Sequence, residues 1–271
     1  MTDTLPSQLL PPLLLIGCGK MGGAMLAGWR ERGLGKTFVV DPFASGPIEG
    51  ATLLRDPAEI PAEFAPAAVI LATKPQEAPA TLPAYARFAG SAVFVSIMAG
   101  KTVAFMQGLL GQGAAVVRAM PNTPAAVRQG FTVAFAGPGV SAAQSDLADT
   151  LLAATGEVAW VTEEALIDPV TAVSGGGPAY VFLLAELLEA AAVEQGIPPD
   201  LARRMARATV AGSGSLLAAS TEDAAQLRKN VTSPKGTTER ALAVLMAQDA
   251  WPDAISRAIA AATARSRELA G

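Results

Sequence analysis

The sequence predicts an α/β domain built on a parallel sheet and followed by an all-α domain, and three observations carry that prediction. Short apolar runs alternate with amphipathic stretches up to about residue 162, a glycine-rich turn directly follows the first of these runs, and from Glu163 onward no segment reads as a strand. Strands covered by helices on both faces read as continuous apolar runs, so this alternation implies a parallel sheet with crossover helices. The expected division is residues 1–162 and residues 163–271.

Taken in order, residues 13–17, 38–41, 67–72, 92–97 and 114–119 read as buried strands. The apolar stretch of residues 9–16 is split by Pro11 and Pro12 and lacks a basic leader. It is expected to enter the fold as a strand and not to act as a signal peptide or a membrane span. Residues 24–32 form the first amphipathic helix, and residues 132–136 and 157–161 extend the sheet at one edge with a helix at 141–154 between them. The second half is Ala/Leu-rich with helical spacing, notably around residues 178–195, 200–219 and 239–246, punctuated by turns at 175–178, 196–199, 220–223 and 233–238. The small residues of these helices suit close helix packing, either within one subunit or across a dimer.

Composition narrows the chemistry. Only 16% of the 271 residues are charged while 51% are apolar, so extensive burial within or between subunits is expected. The net charge of −4, without a Lys/Arg stripe interleaved with aromatics, argues against a nucleic-acid partner and leaves a small molecule. Cys18 is the single cysteine and there is no histidine, so a disulfide framework and a multi-cysteine metal site are excluded. A metal-free, cytoplasmic protein fits. The absence of histidine also excludes Ser-His-Asp chemistry and His-dependent dehydrogenation.

Ile16 ends the first strand, and Gly17-Cys18-Gly19-Lys20-Met21-Gly22 follows it and opens the first helix. This is the G-x-G-x-x-G fingerprint in the context that dinucleotide binding requires: a tight turn, a close backbone approach to the pyrophosphate, and a helix N-terminus that offers free amides. Asp41 ends the second strand about twenty residues on, where a carboxylate can accept hydrogen bonds from the adenosine ribose or can simply form a turn before Pro42. NADPH and NADH both remain open. Arg55 and Lys20 are the cations that could reach a 2′-phosphate. Ala72-Thr73-Lys74-Pro75 ends the third strand at the edge of the ligand crevice, and Lys74 could face a phosphate or ribose there. Met120-Pro121-Asn122-Thr123-Pro124 follows a later strand, its prolines fixing a loop that can present the Asn122 amide to nicotinamide or substrate.

Two further motifs lie in the helical half: Ser174-Gly175-Gly176-Gly177-Pro178, and the hydroxyl-rich loop Ser233-Pro234-Lys235-Gly236-Thr237-Thr238 ahead of a helix. With these five motifs in order along essentially its whole length, the chain strongly resembles the pyrroline-5-carboxylate reductases. The resemblance implies transfer of a hydride from NADPH or NADH to the C=N carbon of 1-pyrroline-5-carboxylate, giving L-proline, the last step of proline biosynthesis. It implies that Ser233, Gly236 and Thr237 hold the substrate carboxylate. It also implies that Thr238 is the catalytic residue whose hydroxyl meets the ring nitrogen, and that Asn230 touches the cofactor. A homo-oligomer is implied, at least a dimer with interlocked helical domains, and assembly up to a decamer. Three positions depart from the family pattern: glycine is usual where Lys235 stands, serine where Gly176 stands, and asparagine where Lys20 stands.

A β-hydroxyacid dehydrogenase shares the two-domain plan but needs a lysine to shuttle the alcohol proton, and this chain has no lysine between Lys101 and Lys229. A related imine or F420-linked reductase, or a nucleotide-binding protein without catalysis, is the alternative. Residues 233–238 count against the last.

Overall fold

A computed structural model of the chain describes residues 9–270. The strands are β1 (Leu13–Ile16), β2 (Thr37–Val40), β3 (Thr52–Leu54), β4 (Ala68–Leu71), β5 (Val93–Ser96), β6 (Ala115–Met120), β7 (Gly130–Ala136) and β8 (Gly156–Val161). They form one eight-stranded sheet in the order β3-β2-β1-β4-β5-β6-β7-β8. Every neighbouring pair is parallel except β6 and β7. The strand order reverses between β1 and β4, which opens a crevice beyond their C-terminal ends.

The helices are α1 (Lys20–Arg32), α2 (Ala78–Thr81), α3 (Val103–Leu110), α4 (Ala142–Leu152), α5 (Ile167–Val170), α6 (Gly177–Glu194), α7 (Pro199–Ala219), α8 (Ala224–Asn230), α9 (Thr237–Leu245) and α10 (Trp251–Ala270). Two compact units result. The first contains the sheet and runs to Gly175, rejoined by the end of α10 from Ala262; the second is Gly176–Ala261.

Within the first unit the sheet is buried on both faces. Alternate residues serve opposite cores: Leu14, Ile16, Val69 and Leu71 belong to the cluster that includes Val103, Met106 and Leu110 of α3, while Leu13, Leu15, Ile70 and Val95 belong to the one that includes residues of α1 and α4. This explains why the strands read as unbroken apolar runs. Trp29 of α1 is fully buried and donates its indole N–H to Leu151 O at 2.8 Å, so α1 and α4 lie together on one face. The α4 helix starts on a capping box, Ser141 with Gln144.

Two features of the sheet go beyond the sequence reading. β3 is a strand of three residues, too short to show a period, and it forms the edge beside β2. β7 extends the sheet where expected but runs antiparallel to β6. A third feature lies at the end of the first unit, where Thr171–Gly175 forms a π-helical turn immediately before α6. Such wide turns are rare and recur at functional sites.

The second unit is helical, with α6 packed along α7. No residue of α6 is buried in the isolated chain, and Phe182, Leu183 and Leu187 are each at least half exposed. The segment Glu164–Glu194 is long and apolar enough to cross a membrane by length and composition, with a mean hydropathy of 1.4.

Candidate active site

The glycine turn sits at the C-terminal end of β1, beside the end of β4. Gly17 has φ +87°, and a Cβ there would lie 2.8 Å from Ala72 O, so both its backbone and its contact demand glycine. Gly17 N–H donates to Val40 O at 2.9 Å, and Ala72 N–H donates to Ile16 O at 2.8 Å; these bonds hold Ile16, Gly17 and Ala72 in one layer. A side chain on Gly22 would collide with Gly17 O, so the helix starts close against the turn. Gly19 is the N-cap of α1, faces open space, and no side chain caps it. The amides of the first turn, Lys20, Met21 and Gly22, therefore face the crevice with the positive end of the helix dipole behind them. This arrangement fits a pyrophosphate.

Asp41 follows β2. Its Oδ2 accepts from the Cys18 backbone N–H at 2.7 Å, and its Oδ1 accepts from Phe43 N–H at 2.8 Å and Ala44 N–H at 3.1 Å. One carboxylate thus fixes both the glycine turn and the turn after β2. Burial raises the pKa of the Cys18 thiol above the usual cysteine value, and the negative charge of Asp41 adds to the effect. The neutral thiol is favoured at the edge of the crevice.

Thr73, Lys74 and Pro75 continue from the end of β4. The Thr73 hydroxyl lies 3.7 Å from Met98 Sδ, and Lys74 is the extended N-cap residue of the 3-10 turn Pro75–Glu77. Asn122 lies beyond β6, where its Oδ1 accepts from Phe131 N–H at 2.9 Å and its Nδ2 donates to Ser174 Oγ at 3.2 Å. The Asn122 amide thus joins the start of β7 to the π-helical turn while keeping one N–H for another acceptor. Arg128, at φ +61°, clamps the same loop to α1 through a two-pronged ion pair with Glu31 at 2.6 and 2.9 Å. Hydrogen bonding to Arg128 lowers the Glu31 pKa.

In the second unit, Asn230 ends α8, with its Oδ1 accepting from Gln226 at 2.7 Å and its Nδ2 donating to Glu222 at 3.0 Å. A tight turn follows it. Gly236 N–H donates to Ser233 O at 3.0 Å, Pro234 stands at the second position and Lys235 at the third with φ +62°, the pattern of a type II turn. That third position favours glycine, so Lys235 holds a left-handed conformation that glycine adopts more readily. Glu239 Oε2 reaches back to accept the Lys235 N–H at 2.7 Å and pins the turn. Gly236 is the N-cap of α9 without a side-chain cap, so the amides of Thr237 and Thr238 and their exposed side chains surround an unfilled helix start.

The sequence reading missed two partners. Ser174 carries a hydroxyl bonded to Asn122, visible beforehand only as part of a glycine-rich motif. A buried ion-pair network joins Arg118 of β6 to Glu164 at 3.1 Å and Asp168 at 3.4 Å, with Ser266 of α10 donating to Asp168 at 2.8 Å. It ties the entrance to the helical half, and the last turns of the chain, to the sheet.

Residues 164–269 match the family model for pyrroline-5-carboxylate reductase dimerisation. A pyrroline-5-carboxylate reductase from Pseudomonas aeruginosa is 39% identical over 267 residues, covering 96% of this chain and 97% of that protein. One from Synechocystis is 40% identical over 201 residues, 74% of each chain. Among solved structures, the pyrroline-5-carboxylate reductase of Coxiella burnetii superposes with a TM-score of 0.87 at 30% identity, covering 97% of this chain and 99% of that one. The Plasmodium falciparum pyrroline carboxylate reductase, solved with NADP bound, gives 0.83 at 25% identity over 97% of this chain and 100% of its own.

Proposed function

The chain belongs to the pyrroline-5-carboxylate reductase family, and we propose that its activity is carried by two sites, the glycine turn for the dinucleotide and residues 233–238 for the substrate. The enzyme is an NAD(P)H-dependent oxidoreductase that reduces the C=N bond of 1-pyrroline-5-carboxylate to give L-proline. The division of labour follows the proposed domains: residues 1–162 hold the cofactor and residues 163–271 provide dimerisation and substrate binding.

The observation that carries the substrate assignment is the type II turn at Ser233 to Gly236 feeding the uncapped start of α9. Unpaired N–H groups at a helix start bind a carboxylate as they bind other anions, and the Ser233 and Thr237 hydroxyls add donors. Lys235 places a cation on the same turn. Thr238, on the first turn of α9, hydrogen-bonds the ring nitrogen through its hydroxyl and orients the imine.

When bound, the reduced nicotinamide supplies a hydride to the imine carbon. The ring nitrogen must carry a proton to accept the resulting electron pair, and a cyclic imine can acquire that proton from solvent. The site therefore needs positioning more than a strong acid, which suits a chain without histidine. Gly17 makes the tight turn, Gly19 lets the backbone approach the pyrophosphate, the amides of residues 20–22 bind it, and Ile16, Cys18 and the segment Ala72-Thr73-Lys74-Pro75 line the crevice. Asp41 organises its ribose end. Asn122 offers its remaining N–H on the nicotinamide side, and Asn230 is assigned to the cofactor by its family counterpart.

The chain is a homo-oligomer, and we assign the exposed apolar residues of α6 to contact with a second copy and not to lipid. The proposed assembly is a dimer or a multiple of it up to a decamer, in the cytoplasm.

The direct test is loss of NADPH or NADH absorbance on adding 1-pyrroline-5-carboxylate, with proline identified as the product. A folded protein that binds a dinucleotide but oxidises none on addition of this imine would leave a nucleotide-binding protein or a reductase for another imine.

A further inference from the structure

Pairing of β2 with β3 brings Asp41 and Arg55 side by side at the C-terminal edge of the sheet: Asp41 N–H donates to Leu54 O at 3.1 Å, and Arg55 Nη1 donates to the main-chain carbonyl of Asp41 at 3.1 Å. An acidic residue at this position ordinarily selects the unphosphorylated ribose, because its carboxylate receives the ribose hydroxyls and repels a 2′-phosphate. Here that carboxylate is already occupied. Its two oxygens accept three backbone N–H groups, from Cys18, Phe43 and Ala44, which spread its charge over the surrounding peptide dipoles and hold it against its own turns. Arg55 is in the opposite condition. Its guanidinium is exposed, spends one N–H on a neutral carbonyl, and is in no ion pair among the described residues; Glu59 takes the Arg55 main-chain N–H instead. Four of its five donors remain in a planar fork that matches a phosphate. Beside it, Phe43 is 85% exposed on the turn that Asp41 fixes, a large apolar ring with no packing role in the fold.

We propose that Arg55 is the specificity-determining residue for the cofactor: it binds the 2′-phosphate of NADPH while Phe43 covers the adenine, so this chain binds NADPH more tightly than NADH despite Asp41. The proposal rests on the assignment of the glycine turn as the dinucleotide site. It places the discriminating group directly after β3, the edge strand, instead of on the residues directly after β2.

Equilibrium titration of the purified protein with NADPH, NADH, 2′,5′-ADP and ADP tests this without turnover. The unaltered protein should bind 2′,5′-ADP more tightly than ADP. Arg55→Ala should weaken NADPH and 2′,5′-ADP by about tenfold or more, the loss expected for a charge-assisted phosphate contact, and leave NADH and ADP within about twofold. Arg55→Lys, which keeps the charge and loses the fork, should fall between. Equal weakening of phosphorylated and unphosphorylated ligands, no change in either, or tighter binding of ADP than 2′,5′-ADP by the unaltered protein would overturn the role of Arg55 while leaving the dinucleotide site standing. Failure of the folded protein to bind any of the four would remove the site and the proposal together.

Discussion

The main-chain N–H of Cys18 donates to Asp41 Oδ2 at 2.7 Å, joining the glycine turn after β1 to the turn after β2 across 23 residues of sequence. The same contact places a carboxylate beside a thiol, and the thiol bears the consequence.

Cys18 should be a slow nucleophile. Burial is the larger cause of its raised pKa and Asp41 the smaller, so little thiolate exists at neutral pH. Labelling by iodoacetamide should be slow at pH 7–8 and rise only above the range of an ordinary cysteine, and Asp41→Asn should shift that rise modestly downward. Because the folded protein holds this proton more tightly than the unfolded chain, the stability involved is fully present below the unfolded thiol pKa. It is lost as pH rises through the raised native value. Rapid labelling at neutral pH would contradict the described environment.

Asp168 should matter for stability more than for chemistry. It receives both Arg118, whose side chain is 3% exposed, and Ser266. Asp168→Ala leaves the buried guanidinium with Glu164 alone and should cost about 3 kcal/mol in denaturant unfolding, whereas Ser266→Ala should cost roughly 1 kcal/mol. Equal and small losses would show that the network is not a stabilising unit.

Lys235 should be replaceable with a gain. Its φ of +62° carries a penalty that glycine avoids, partly offset by the greater freedom of glycine in the unfolded chain, so Lys235→Gly should stabilise the protein by about 0.5 kcal/mol. The measurement is the denaturant midpoint at constant slope. A destabilised variant would mean that the lysine side chain makes a favourable interaction larger than its backbone strain.

Much of the fold was legible because its signals are local. β1, α1 and the glycine turn announce themselves through a short apolar run followed directly by glycines at fixed spacing, and β4 to β6 through apolar runs that a sheet buried on both faces requires. β3 was not legible, since Thr52–Leu54 is shorter than any period, and with it went the neighbour relation of Asp41 and Arg55, set by pairing across 14 residues. The bond from Asn122 to Ser174 spans 52 residues and depends on a π-helical turn that no sequence period marks. The unusual Lys235 was legible only as a departure from the family pattern; its cause, a left-handed residue in a type II turn, needed coordinates. The Ala/Leu-rich composition of α6 left open whether its small residues serve a monomer core or a dimer, and the exposure of Phe182, Leu183 and Leu187 needed coordinates.

The central claim is that Thr238 at the start of α9 orients the imine, and steady-state kinetics of Thr238→Ala with NADPH and 1-pyrroline-5-carboxylate tests it most directly. Thr238 is exposed and makes no cap, so the substitution should leave the fold and the affinity for NADPH unchanged while kcat/KM falls by roughly 100-fold, the scale of a mispositioned reactant. An unchanged kcat/KM in folded, cofactor-binding protein would contradict the claim and remove Thr238 from the mechanism.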